Sequence, residues 1–162
     1  MRIHFIAAAL ALGVSAGPAF ADPWVPVDAN TTKIIFLDKA SVLPKGDEIE
    51  ATMLWVAIAD PGTPPINVLE HATFRCGASS SLVMWTAMVD DDGQVAPQEA
   101  AASTDYDVQT PDSMGGSMVT TVCTGVSPNA TTAGVIDATL LDAIKNGEDF
   151  LGAQTDTPSP TP

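Results

Sequence analysis

Residues Glu48 to Ala59 alternate in a way that suits one kind of position in a sheet. Ile49, Ala51, Met53, Trp55 and Ala57 fall on one face; Glu48, Glu50 and Thr52 begin the other, which turns apolar at Leu54, Val56 and Ile58. A strand that starts half polar and ends apolar on both sides is a central strand of an antiparallel sheet. Its neighbours are legible on either side. Trp24-Val-Pro-Val27 is short and extended, and Pro26 places it at an edge, where a missing N–H is harmless. Thr32 to Leu37 is β-branched and aromatic, and Leu43-Pro-Lys-Gly-Asp47 reads as the turn that follows it. After the break at Asp60-Pro-Gly-Thr-Pro-Pro65, Val68 to Cys76 alternates again, with Val68, Ala72, Phe74 and Cys76 on one face and Leu69, His71, Thr73 and Arg75 on the other. Glu70 interrupts the first of these apolar faces. Leu82 to Val89 is the next strand, read with Val83, Trp85, Ala87 and Val89 on one side and Leu82, Met84, Thr86 and Met88 on the other. Asp90-Asp-Asp-Gly93 has hairpin-turn chemistry, and a weaker strand is expected near Gln94–Ala96.

A helix follows. Asp112 or Ser113 supplies an N-cap, and Met114, Met118, Val119 and Val122 share one side at helical spacing. Gly115 and Gly116 each weaken that helix by about 1 kcal/mol relative to Ala, so packing must support it. Cys76 and Cys123 are the two cysteines of the chain, and in an exported protein they are expected to form one disulfide. The bridge puts the helix on the Cys76 face of its strand. Met84 and Met88, with Met114 and Met118, are expected to form a soft packing layer between helix and sheet. Beyond Gly125, residues 126–162 read as an extension with a short amphipathic helix over Val135–Asn146, stopped by Gly147, and a disordered Pro/Thr-rich tail.

The export expectation comes from the first 21 residues. Arg2 precedes an apolar run from Ile6 to Phe20 that closes on Ala19-Phe20-Ala21, the small-x-small pattern cut by signal peptidase, so residues 1–21 read as a signal peptide. No cysteine lies near the expected cleavage site, which argues against a lipid anchor. No later run approaches the roughly 20 apolar residues of a membrane-spanning helix. Removing Arg2 with the leader leaves five Lys and Arg against twenty Asp and Glu, a net charge of −15. Nucleic-acid phosphates and anionic lipid head groups repel such a surface.

The ordered set of pieces between residues 24 and 125 resembles the surface-adhesin protein E family of bacterial envelope proteins. The set comprises Trp24 near the mature start, Leu37-Asp38 with Ser41-Val42 after it, Lys45-Gly46-Asp47 opening the long strand, and Phe74-x-Cys76. Tyr106-x-Val108, Pro111-x-Ser113-Met114 and Val122-Cys123 complete it. The resemblance implies an α+β domain over residues 22–125: a twisted antiparallel β-sheet of about six strands, with one C-terminal helix packed on it and tethered by the disulfide. It also implies binding of host matrix and serum proteins, partly through basic residues on a lipid-anchored chain. This sequence departs on both counts, having no lipidated cysteine and few basic residues.

Catalytic chemistry finds little purchase. A Ser-His-Asp arrangement would have to use His71, the sole histidine after the leader, and no Gly-x-Ser-x-Gly elbow presents a serine. Two cysteines and one histidine are too few soft ligands for zinc. Asp90-Asp91-Asp92-Gly93 lacks the spaced oxygen ligands of a calcium loop and reads as a solvated turn. No metal or other cofactor is expected. Trp55, Trp85, His71 and Arg75 are the candidates for a ligand or partner surface, with Trp24, Trp55 and Trp85 equally suited to a core. The reading is a non-catalytic exported domain that binds another protein or, alternatively, a periplasmic domain holding a small apolar ligand. Homodimerisation stays open.

Overall fold

The computed structural model describes residues 24–60, 62–129 and 139–155. The signal peptide, the first part of the helix expected at 135–146 and most of the Pro/Thr-rich tail lie outside the described residues. The chain forms β1 (Trp24–Ala29), β2 (Lys33–Lys45), β3 (Glu48–Ala57), β4 (Ile66–Arg75) and β5 (Ser80–Val89), then the short β6 (Glu99–Ala100) and β7 (Asp107–Val108). Two helices follow, α1 (Met114–Thr124) and α2 (Leu140–Thr155). β1 to β5 run in sequential order as an antiparallel meander, and β6 and β7 both pair with β5. β3 is central, β1 with Pro26 is an edge, and the expected strand near Gln94–Ala96 is reduced to a single bridge between Val89 and Val95.

The alternation of β3 places two cores on opposite sides of one sheet. Ile35, Leu37, Ala51, Met53, Ala72 and Phe74 are buried on one face beneath Met118, Val119 and Val122 of α1. Ile34, Phe36, Leu54, Val56 and Leu69 are buried on the other beneath Ala143, Ile144 and Leu151 of α2. The Cys76–Cys123 bridge, with Cα atoms 5.7 Å apart, ties the end of β4 to the last turn of α1, so α1 lies on the Cys76 face as expected. Ser113 is the cap: its Oγ accepts from the Gly116 N–H at 3.0 Å. A Cβ on Gly116 would overlap the Thr110 carbonyl, so the helix start sits hard against the preceding loop.

Three expectations need correction. α2 does not stop at Gly147. It begins with a reciprocal cap in which Asp142 N–H donates to Thr139 Oγ1 and Thr139 N–H to Asp142 Oδ2, and it continues to Thr155. Those bonds hold the Asp142 carboxyl below its ordinary pKa. Gly147 lies mid-helix because the helix there approaches β2 and β3 so closely that a Cβ would sit 2.8 Å from Val56 Cγ2 and 3.1 Å from Ile34 Cγ2. Second, Val83 and Trp85 do not share a face. The β4–β5 register shifts between His71 and Ala72, whose partners are Trp85 and Val83, so Met84 is the extra residue and the parity of β5 flips there. Third, Met84 and Met88 are about half exposed and do not join Met114 and Met118 in the packing layer.

The close approach at Gly147 yields a paired expectation. Gly147→Ala gains roughly 1 kcal/mol of helix propensity but must push Val56 aside, at a cost typically of about 1–3 kcal/mol, so the protein loses about 1–2 kcal/mol in urea unfolding. Gly152→Ala, with nothing within 4 Å of its Cβ, is neutral or gains up to about 1 kcal/mol. Equal effects from the two substitutions would contradict this packing.

Candidate functional site

The two helices leave part of each face open. On the α2 side, strand parity brings together His71 of β4 and Trp85 of β5 as a direct cross-strand pair. Their rings stack with centroids 5.3 Å apart and planes 12° off parallel. His71 Nδ1 shares a hydrogen bond with Thr52 Oγ1 at 3.0 Å, and its Nε2 lies 3.7 Å from Glu50 Oε2. Glu50 in turn accepts from Lys45 Nζ at 2.7 Å, and this bond holds its carboxyl below the usual range. The order Thr52–His71–Glu50 mimics a nucleophile, base and acid, but Thr52 is 4% exposed and its hydroxyl has no route to a substrate. The imidazole is fixed from three directions within the sheet.

Arg75 belongs to the same face and is equally occupied. Its Nε donates to Glu48 Oε1 at 2.8 Å, its guanidinium lies 3.6 Å from the Tyr106 ring centroid, and the Tyr106 hydroxyl donates to the same Glu48 oxygen at 2.8 Å. Glu48 is held low by the Tyr106 hydroxyl and then by Arg75, while the Tyr106 phenol is pushed up by burial and then by Glu48. This trio fastens the loop before α1 to the ends of β3 and β4.

Trp55 stands on the opposite face. It pairs with Val68, and Val68 with Met88; alternate residues along β4 add Ile66 and Glu70 to that face. α1 covers one part of this face, around Ala51, Ala72 and Phe74. The rest is open: Ile66 is 41% and Met88 50% exposed, and Trp55, Val68 and Glu70 are half-buried among them. The Lys33 ammonium lies 5.5 Å from the Trp55 ring centroid. Glu70 sits in this apolar setting with its pKa pushed up to about 7 by burial. The Trp55 indole N–H opposes that shift from nearby but closes no hydrogen bond of good geometry, leaving a buried donor unmatched.

The four residues singled out from the sequence therefore divide. His71, Trp85 and Arg75 share the α2-side face and are held by partners within the domain, whereas Trp55 marks the open patch on the α1 side. Sequence reasoning passed over Lys33, Ile66 and Met88. Its signal for Glu70 was the interruption of an apolar face, a charge where the alternation required a hydrophobic residue.

No family model and no curated protein matches this sequence. Among the described residues no helix is long and apolar enough to cross a membrane. Among solved structures, a second crystal form of Haemophilus influenzae protein E is similar at 14% identity and a TM-score of 0.45, covering 74% of this chain and 98% of that one. A further structure of Haemophilus influenzae protein E matches at 13% identity and a TM-score of 0.45, covering 72% and 92%. The chain's structural neighbours are protein E structures, from the family that the order of its sequence pieces resembles.

Proposed function

We propose that this chain is a non-catalytic exported envelope protein, resembling the surface-adhesin protein E family, that works by docking a protein partner on the open sheet face around Trp55, Ile66, Val68, Glu70 and Met88. The observation that carries the reading is the uncovered apolar patch with a half-buried carboxyl and an unmatched indole N–H in its middle. Aromatic and methionine anchors around a small polar centre are the composition of an interface core. The surface charge of −15 favours a partner whose contacting segment is basic, through steering as well as contact. The rival reading, an apolar ligand held beside Trp55 or Trp85, has less support, since Lys33 lies against Trp55 and His71 is stacked on Trp85.

The test immobilises the mature protein beside an Ile66→Glu/Met88→Glu variant and measures binding to a panel of purified matrix and serum proteins. Both substituted side chains are already exposed, so unfolding curves should coincide. The expected result is a panel member bound by the parent chain and weakened at least about tenfold by the double variant, since like charge and lost apolar contact act together. Binding unchanged by the two carboxylates would remove the patch from the function. Protease treatment of intact cells assigns the location: loss of the protein while a periplasmic control survives means outer-surface exposure, and survival means the periplasm.

A further inference from the structure

At the end of the sheet away from the disulfide, a cleft of about 420 Å³ opens between the β3–β4 turn, the β5–β6 turn and the middle of α2. Its walls are apolar at Ile58, Pro64 and Pro65, and acidic at Asp91 and Glu148. The β5–β6 turn is built so that one of its aspartates stays outside the turn's own bonding. Asp90 Oδ1 accepts from the N–H groups of Asp92 and Gln94 at 3.1 and 2.7 Å and so closes the turn, while the next residue, Asp91, lines the cleft.

The telling group lies behind these acids. Asn67 is 2% exposed, and its side-chain Nδ2 donates to Glu148 Oε1 at 3.4 Å, which turns its carboxamide toward the cleft wall. Its Oδ1 is buried and has no hydrogen-bond partner. An orphaned buried acceptor costs free energy unless a donor reaches it. Here it stands beside a carboxylate that lines the cleft, with a second carboxylate on the opposite turn. Acceptors without a donor, next to apolar walls, define the missing ligand by complement: a group that brings N–H donors, positive charge and a short hydrocarbon body. A bare divalent ion fits less well. Among the described residues no group of three His, Cys, Asp or Glu is placed to hold a metal, and the apolar wall would gain nothing from an ion.

We propose that this cleft is a binding site for a small organic cation, an alkylammonium or alkylguanidinium, whose charged end is held by Glu148, Asp91 and the Asn67 side-chain oxygen and whose chain lies against Ile58, Pro64 and Pro65. The site lies at the α2 end of the sheet and is separate from the docking patch, so either can fail without the other. The same chemistry exists free, as a diamine, or as the side chain of a peptide lysine or arginine. The geometry favours the free form, because a cleft this size encloses a whole small diamine.

The experiment titrates the isotopically labelled mature protein with 1,4-diaminobutane, with N-acetyl-lysine amide and with calcium chloride. It follows the backbone amides of Gly62, Thr63 and Gly152 at about 0.15 M salt, where exposed charge attraction is largely screened. Saturable shifts with the diamine, weakened about tenfold or more by Glu148→Gln and by Asp91→Asn, support the site; losing one charge-assisted hydrogen bond accounts for that factor. Glu148→Gln retains an acceptor for Asn67, so its unfolding curve should match the parent's. Tighter binding of the lysine amide would transfer the site to a peptide side chain and overturn the free-cation assignment. No saturable shift, equal binding by both variants, or calcium displacing the diamine at equal concentration would each overturn the site itself.

Discussion

A Cys76→Ser/Cys123→Ser double variant is expected to lose roughly 4 kcal/mol of stability, the largest effect of any small change in this protein. The bridge spans a sequence separation of 47 residues, and closing a loop of that size in the unfolded chain removes about that much free energy in the chain-entropy model. Against a typical domain stability of about 5–15 kcal/mol that is a large share. The structure adds a location to the loss. α1 buries only one side, through Met118, Val119 and Val122, and has two glycines in its first turns, so without the bridge it should be the first element to part from the sheet. β1 to β5 keep their ladder. Urea unfolding of parent and variant, followed by circular dichroism and by hydrogen exchange of the α1 amides, checks both parts. A loss below about 1 kcal/mol, or uniform exchange throughout the domain, would contradict this role for the bridge.

Glu70→Gln is expected to do the reverse, stabilising the protein, and to do so only at higher pH. The folded-state pKa of Glu70 is raised to about 7 from an ordinary 4.5, because the carboxyl is half-buried among apolar side chains. The folded protein therefore holds a proton that the unfolded chain releases between pH 4.5 and 7, and stability falls as pH rises through that window. Above it the cost of the ionised group approaches about 3 kcal/mol, an upper bound because the side chain keeps some contact with solvent. Glutamine preserves the shape without the charge. The substitution should thus gain up to that amount at pH 8 and almost nothing at pH 4.5, measured as the difference between unfolding curves at the two pH values. A gain independent of pH would mean that the carboxyl is well solvated in the folded state.

Such a cost bears on the docking proposal. A residue that destabilises the free domain at neutral pH, in the middle of an open apolar patch, is what a surface awaiting a donor looks like. A lysine or arginine from a basic partner would relieve the same desolvation that raises the pKa. The stability gained by Glu70→Gln and the affinity lost by it should then go together.

What could be read from the sequence was whatever depends on neighbours within a few residues. Strand alternation has a period of two, so the faces of β3 and β4 follow from order alone. Ile49 to Ala57 do share the α1 side, and Leu54 and Val56 the α2 side. Turn chemistry at Gly46 and the Ser113 cap are equally local, since each concerns backbone angles and hydrogen bonds within three or four residues. The cysteine pair in a chain with an export leader named the one long-range contact that composition can announce.

Everything that defines the candidate sites came from longer range. Gly147 is a helix stop by local rules and a helix interior in fact, because Val56, some ninety residues earlier in the chain, comes close enough to leave no room for a side chain. The extra residue at Met84 turns Trp85 toward His71, away from Val83, through a register set by the whole β4–β5 ladder and invisible in either strand alone. Which part of each face a helix leaves uncovered, and hence that Trp55 and Glu70 lie open while His71 is pinned, depends on where α1 and α2 come to rest. Asn67 and Glu148 meet across 81 residues for the same reason. Local chemistry determined the elements and their faces; the close packing of helices on both sides of the sheet decided which of those faces remain open to a partner.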